Sequence, residues 1–167
     1  MIGDYLNNCG LTGKGVEVGT FYGVFATDIL KTWRGNLYCV DPWINQDKAI
    51  YHDGANRNND MNEVWMKVCG SIGQHSRCTL LRMMSLNAVG KFADEELDFV
   101  YLDGNHSLPC VRDDIAAWWP KVKIGGLVCG HDYFTRYDQD TNSDALTAVA
   151  ELSEAIGIRA HVTWCTS

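Results

Sequence analysis

The sequence predicts an α/β fold, a mostly parallel sheet with helices on both faces. Three observations lead there. Short apolar, β-branched runs alternate with longer stretches of helical periodicity. Glycine or an acid follows nearly every apolar run. No repeat, low-complexity segment or Pro-rich linker divides the 167 residues, so residues 1–167 read as one domain.

Each element has its own reason. Residues 14–19, Lys-Gly-Val-Glu-Val-Gly, are short, β-branched and stopped by glycine, as a buried strand requires. Phe21, Val24, Phe25, Ile29, Leu30 and Trp33 recur at helical spacing, and Gly35 follows where a helix terminus favours glycine. Residues 36–40 make a second strand that closes on Asp41-Pro42. Residues 44–60 are rich in Asn and Asp and read as a surface loop. Met61, Val64, Trp65 and Val68 mark a helix over 61–73. A third strand over 78–83, a short helix over 86–93 and a fourth strand over 97–103 follow. Val111, Ile115, Trp118 and Trp119 place a helix that Pro120 ends. Residues 126–130 belong to a fifth strand. A polar loop over 133–142, a helix over 143–156 and a last strand over 159–164 complete the pattern. Such alternation implies βαβ units and a parallel sheet.

Composition narrows the function. Apolar residues make up 46% and charged residues 21%, ordinary for a soluble globular chain. Lys and Arg number 14 against 21 Asp and Glu, a net charge of −7 with no basic run. That argues against nucleic acid and against an anionic membrane surface, since both need clustered Lys and Arg. No apolar run reaches the ~18 residues of a membrane span, and the N-terminus lacks the features of a signal peptide. The seven cysteines are odd in number, contain no C-x-x-C and lie partly inside apolar runs. They fit a reduced, cytoplasmic protein without a disulfide framework or cysteine zinc site.

In parallel α/β folds, ligands bind beyond the carboxyl ends of the strands, where strand order reverses. Those ends carry Gly19, Asp41, Met84 with Ser85, Asp103, and His131 with Asp132. Gly19 permits a sharp bend and close ligand approach, and the next helix offers its N-terminal amides. The spacing Gly19 to Gly23 is G-x-x-x-G, so the dinucleotide fingerprint is not met. A plain strand-to-helix turn is the alternative reading, and Gly19 with Asp41 favours a nucleoside site. Asp41, 22 residues on, suits the hydroxyls of a ribose, or merely starts a turn before Pro42. Glu17 is an acid inside an apolar strand, costly unless paired. It either caps nearby amides or faces a ligand's amino group.

These residues resemble the class I S-adenosylmethionine-dependent methyltransferases. Glu17-Val-Gly-Thr-Phe-Tyr-Gly23 resembles their first motif, and Val40-Asp41 the acidic end of their second strand. Leu97-Asp-Phe-Val-Tyr-Leu-Asp103-Gly-Asn-His106 resembles their fourth-strand motif. The stretch from Trp118 through Gly125-Gly126 to His131-Asp132-Tyr133 resembles their next helix, glycine pair and fifth strand. The subgroup it is most similar to holds small O-methyltransferases, macrocin-type sugar enzymes among them. The resemblance covers residues 14–164 and implies a Rossmann-like methyltransferase fold, here without a complete C-terminal hairpin. It also implies S-adenosyl-L-methionine as cofactor. Gly19 and Thr20, with Glu17 beside them, would hold its methionine part; Asp41 the ribose; Met84 and Ser85 the adenine. Asp103 would face the methionine end and the acceptor. The N-terminal helix that covers the acceptor in relatives is expected to be missing or very short. A partner subunit, such as a second copy of the chain in a homo-oligomer, is one way to supply that cover.

Asp103, His106, His131 and Asp132 converge if the fourth and fifth strands are neighbours. Two readings stay open. Asp103, His131 and Asp132 resemble the metal ligands of catechol-type enzymes, where Mg²⁺ binds the acceptor oxygens; His131 in place of an oxygen ligand shifts preference toward Mn²⁺. Alternatively His106 or His131 acts as general base. Trp43, Tyr133 and Tyr137 are candidates to line the acceptor, or are loop anchors. The expected function is methylation of a small hydroxylated acceptor such as a sugar. A non-catalytic methyltransferase-like module and an NAD-dependent oxidoreductase are the alternatives. Metallophosphoesterase pieces are echoed, but the motifs that family needs are absent.

Overall fold

The computed structural model describes residues 2–47, 59–131 and 144–157. The elements are α1 (Ile2–Asn8), β1 (Lys14–Val18), α2 (Val24–Thr32), β2 (Asn36–Asp41), α3 (Met61–Gly70), β3 (Cys78–Arg82), α4 (Ser85–Val89), β4 (Leu97–Leu102), α5 (Leu108–Trp118), β5 (Val122–Gly130) and α6 (Asp144–Ile156). The five strands form one parallel sheet in the order β3-β2-β1-β4-β5. The fold is therefore the expected Rossmann-like one, and the order reverses between β1 and β4. The expected last strand, over 159–164, lies outside the described residues.

Side-chain alternation builds a core on each face of the sheet. On one face Leu37, Cys39 and Phe99 pack under Leu6, Ile29, Leu30, Trp33, Val64 and Val68 from α1–α3 and the turn after α2. On the other, Val16, Val18, Val40, Leu97 and Val100 pack under Ala88, Phe92 and Trp118. Trp33 meets Phe99 edge-on at 4.8 Å, and its Nε1 donates to Leu11 O at 2.6 Å, so its one polar atom is satisfied.

Several boundaries differ from the sequence reading. The helix expected from Phe21 begins at Val24, because residues 20–23 form a turn closed by Gly23 N donating to Thr20 O at 2.7 Å. The fifth strand starts at Val122 rather than Gly126. A register shift against β4 and the left-handed Gly125 (φ 82°) absorb the break that its glycine pair suggested. Pro120 ends α5 but continues as a 3₁₀ turn over Trp119–Lys121. The N-terminal helix is present and very short. It packs on the far end of α2, where Asn7 Nδ2 donates to Thr32 O at 2.8 Å. That is the amino edge of the sheet, so α1 does not lie over the carboxyl edge. Among the described residues no helix is long and apolar enough to cross a membrane, and Cys9, Cys39, Cys69, Cys78, Cys110 and Cys129 are free.

Candidate active site

The sheet ladder extends one residue past the strands and sets a row of functional groups. Gly19 N donates to Val40 O at 2.9 Å, and Asp103 N donates to Val18 O at 2.9 Å. Met83 N donates to Asp41 O at 3.1 Å, and His131 N donates to Leu102 O at 3.2 Å. Gly19, Asp41, Asp103 and His131 therefore share the carboxyl edge, as the sequence predicts. At the reversal point Gly19 has φ 85°, and a Cβ there would stand 2.0 Å from Asp103 O. Only glycine lets the β1 and β4 loops approach so closely.

Glu17 sits beneath that crossing, paired in register with Cys39 on one side and Tyr101 on the other. It is 2% exposed. Burial pushes its carboxyl up to about 8, the Cys39 side chain opposes that rise, and the Asp103 charge adds to it. Among the described residues neither Glu17 Oε2 nor Thr20 Oγ1 completes a hydrogen bond. Two buried, orphaned polar atoms side by side are a cost that a ligand bearing hydrogen-bond donors removes.

Asp41 is occupied differently from the expectation. Its Oδ2 accepts from Phe21 N at 3.0 Å and its Oδ1 from Trp43 N at 2.7 Å. The second contact is the turn that the sequence left open. Phe21 (φ 47°) and Trp43 (φ 43°) both hold left-handed backbone. Trp43 Nε1 donates to Phe21 O at 2.9 Å and completes the clamp. Burial raises the Asp41 carboxyl, while the two amides lower it. Trp43 is fully buried and packs against Trp65 with ring centroids 4.8 Å apart and planes tilted by 49°, so it anchors the loop and does not line an acceptor. Tyr133 and Tyr137 lie outside the described residues.

Asp103 gathers the two histidines. His106 Nε2 is 3.2 Å from Asp103 Oδ1, and His131 Nδ1 is 3.9 Å from the same oxygen. The Asp103 and His106 side chains are about one-third exposed, so the cluster is open to a ligand. Asp132 lies outside the described residues. Among the described ones no group of three acid, histidine or cysteine side chains is placed to hold a metal ion. Of the expected metal ligands the described residues supply the Asp103 carboxylate and the His131 imidazole.

Met84 and Ser85 stand after β3, with Met84 exposed at the mouth and Ser85 opening α4. Ser85 Oγ donates to Asp114 Oδ1 and accepts from Trp118 Nε1 at 2.9 Å. Burial pushes the Asp114 carboxyl up to about 6, and Ser85 opposes the shift. The sequence reading missed Asp114. Its signal was there, because Val111, Asp114, Ile115 and Trp118 share one helical stripe and an acid interrupts it.

Comparison with known proteins bears on the family and the fold. A family profile described as "Methyltransferase domain" matches residues 16–133. A comparison with curated proteins finds no match. Among solved structures, a protein from Corynebacterium glutamicum superposes with a TM-score of 0.59 at 18% identity, over 94% of this chain and 70% of that one. A candidate caffeoyl-CoA O-methyltransferase from Staphylococcus aureus gives 0.63 at 12%, over 93% and 72%. A SAM-dependent methyltransferase from Aquifex aeolicus gives 0.57 at 17%, over 93% and 78%. The chain spans less of some others, 60% of one from Methanococcus maripaludis and 52% of one from Galdieria sulphuraria. At these identities the superpositions speak for the fold.

Proposed function

Since the chain belongs to the methyltransferase-domain family, we propose that it carries the methyl group of S-adenosylmethionine to an oxygen of a small hydroxylated acceptor, with sugars as the leading class. The observation that carries this reading is Asp103, held between two imidazoles beside the Gly19 crossing. The residues fit the cofactor. Glu17 Oε2 and Thr20 Oγ1 are orphaned where an ammonium and carboxylate would arrive, and the Gly19 bend clears the approach. Met84 and Ser85 would flank the adenine. Asp41 would reach the ribose with the lone pairs that Phe21 and Trp43 leave free.

When bound, the cofactor supplies an already activated methyl group on a sulfonium. The chain's own work is alignment, exclusion of water and removal of one proton. His106 or His131 takes the proton of the acceptor hydroxyl, and Asp103 orients the ring and stabilises the imidazolium that forms. The net charge of −7 and the small, acid-rimmed edge favour a small molecule over nucleic acid.

The test is calorimetric titration with S-adenosylhomocysteine, with NAD⁺ as control, followed by methyl transfer from labelled cofactor to a panel of sugars, phenols and amines. Binding of S-adenosylhomocysteine alone, then label on a hydroxyl, is the expected result. Label on an amine would overturn the O-methyl assignment. Absence of binding would overturn the cofactor assignment.

A further inference from the structure

Two thiols meet on the face of the sheet that carries Glu17. Cys39 on β2 pairs in register with Glu17 and is fully buried. Cys78 opens β3, two residues out of register with Cys39, and is only partly buried. Their sulfurs lie 3.6 Å apart in one thiol–thiol hydrogen bond. That contact makes the pair unequal. The hydrogen bond holds Cys78 below the usual thiol range and pushes Cys39 above it, and burial adds to the rise at Cys39. Cys78 is therefore the sulfur that meets a peroxide first, because the thiolate is the nucleophile and this one is the less buried. Cys39 stands behind it as the resolving thiol. A disulfide has its sulfurs ~2.05 Å apart, so closing the pair draws them together by about 1.5 Å. Among the described residues β3 is an outer strand, paired with β2 alone, which leaves it free to yield that distance.

We propose that Cys39 and Cys78 form a peroxide-sensitive thiol pair whose disulfide weakens the cofactor's ammonium site at Glu17. The Cys78 thiolate attacks hydrogen peroxide; the O–O bond breaks, hydroxide leaves and a sulfenic acid forms. The Cys39 sulfur then attacks the Cys78 sulfur. The S–S bond forms, the S–O bond breaks, and the Cys39 proton leaves with the hydroxide as water. The two sulfurs together lose two electrons, which reduce the peroxide to water. While Cys39 keeps its hydrogen, it favours the Glu17 carboxylate. A disulfide has no hydrogen to give, so the charge that would meet the ammonium is disfavoured. The effect on binding rests on the cofactor reading above; the cross-link does not.

The experiment reduces the full chain with dithiothreitol, removes the reductant, adds hydrogen peroxide and stops the reaction with catalase. Iodoacetamide blocks the remaining thiols, and mass spectrometry reads the peptides. The expected product is the Cys39 and Cys78 peptides joined with the loss of two hydrogens. Affinity for S-adenosylhomocysteine should fall about five- to tenfold after peroxide, the scale of one hydrogen bond to a charged group, and dithiothreitol should restore it. Cys78→Ser should keep the affinity of reduced wild type. Cys39→Ala lacks the hydrogen that serves Glu17 and should already sit near the oxidised value. Peroxide should move neither variant. No joined peptide, a Cys78 sulfinic acid in its place, unchanged affinity in the cross-linked protein, or an equal loss in peroxide-treated Cys78→Ser overturns the inference. Should Cys78→Ser not fold, Cys39→Ala decides by the same indifference to peroxide. Failure of reduced wild type to bind overturns the cofactor reading and the coupling to Glu17, while the joined peptide still decides the thiol pair.

Discussion

Glu17→Gln probes the floor of the site through stability alone. The Glu17 carboxyl is buried, and its value rises from an ordinary 4.5 to about 8. The folded protein therefore holds a proton that the unfolded chain releases above pH 4.5. For a raised carboxyl the stabilising contribution is fully present below 4.5 and is lost as pH climbs through 8. The slope is about 1.4 kcal/mol per pH unit, so wild type loses about 3 kcal/mol between pH 4.5 and 7 and about 4–5 kcal/mol by the end of the window. Gln keeps the shape and has no proton to lose, though its amide must find partners in the same place. The variant should equal or trail wild type near pH 5 and exceed it by about 2–3 kcal/mol at pH 7.5. The assay is urea denaturation without ligand from pH 5 to 8.5. Parallel stability curves for the two proteins would refute the reasoning, because Glu17 would then titrate near its ordinary value. The same pair tests the link to binding. An ammonium beside Glu17 favours the carboxylate, so S-adenosylhomocysteine should expel a proton from wild type at pH 7 and none from the variant. Heats measured in buffers of different ionisation enthalpy read this directly.

Three further outcomes are expected. Gly19→Ala forces a Cβ to 2.0 Å from Asp103 O at φ 85° and should lower stability by at least about 2 kcal/mol, read as a drop in melting temperature; an unchanged transition would mean the crossing is loose. Asp41→Ala leaves the amides of Phe21 and Trp43 without acceptors and should cost about 2–4 kcal/mol in denaturation, besides weakening S-adenosylhomocysteine; unchanged stability would remove the clamp. Asp103→Asn should lower turnover by about 10²-fold or more with a much smaller effect on S-adenosylhomocysteine affinity, and equal losses in both would make Asp103 a cofactor contact only.

Much of the fold was legible in the sequence because periodicity and glycine placement are local. The β-branched run ending at Gly19 and the stripe Phe25, Ile29, Leu30, Trp33 fix a strand and a helix without reference to anything distant. Acids and histidine at the ends of apolar runs marked the carboxyl edge before any contact was known. Burial of an acid, by contrast, depends on what covers it. Glu17 and Asp98 both sit in strands, and both are buried. Asp98 is satisfied by Gly13 N and, at 2.6 Å, by Lys123 Nζ, while Glu17 keeps an orphaned oxygen. No local pattern separates them, because their partners are distant in sequence.

The sequence by itself determined the α/β class, the approximate positions of the five described strands and the placing of Gly19, Asp41, Asp103 and His131 at their carboxyl ends, since each depends on neighbours within a few residues. Only the tertiary structure decided the order β3-β2-β1-β4-β5, because apolar runs of similar length and composition carry no label for their neighbours. From that order came the Gly19–Asp103 crossing, the His106–Asp103–His131 cluster, the double engagement of Asp41 and the relay from Asp114 through Ser85 to Trp118. Each is a short-range interaction between distant parts of the chain, and hydrogen bonds and desolvation act only once packing has brought those parts together.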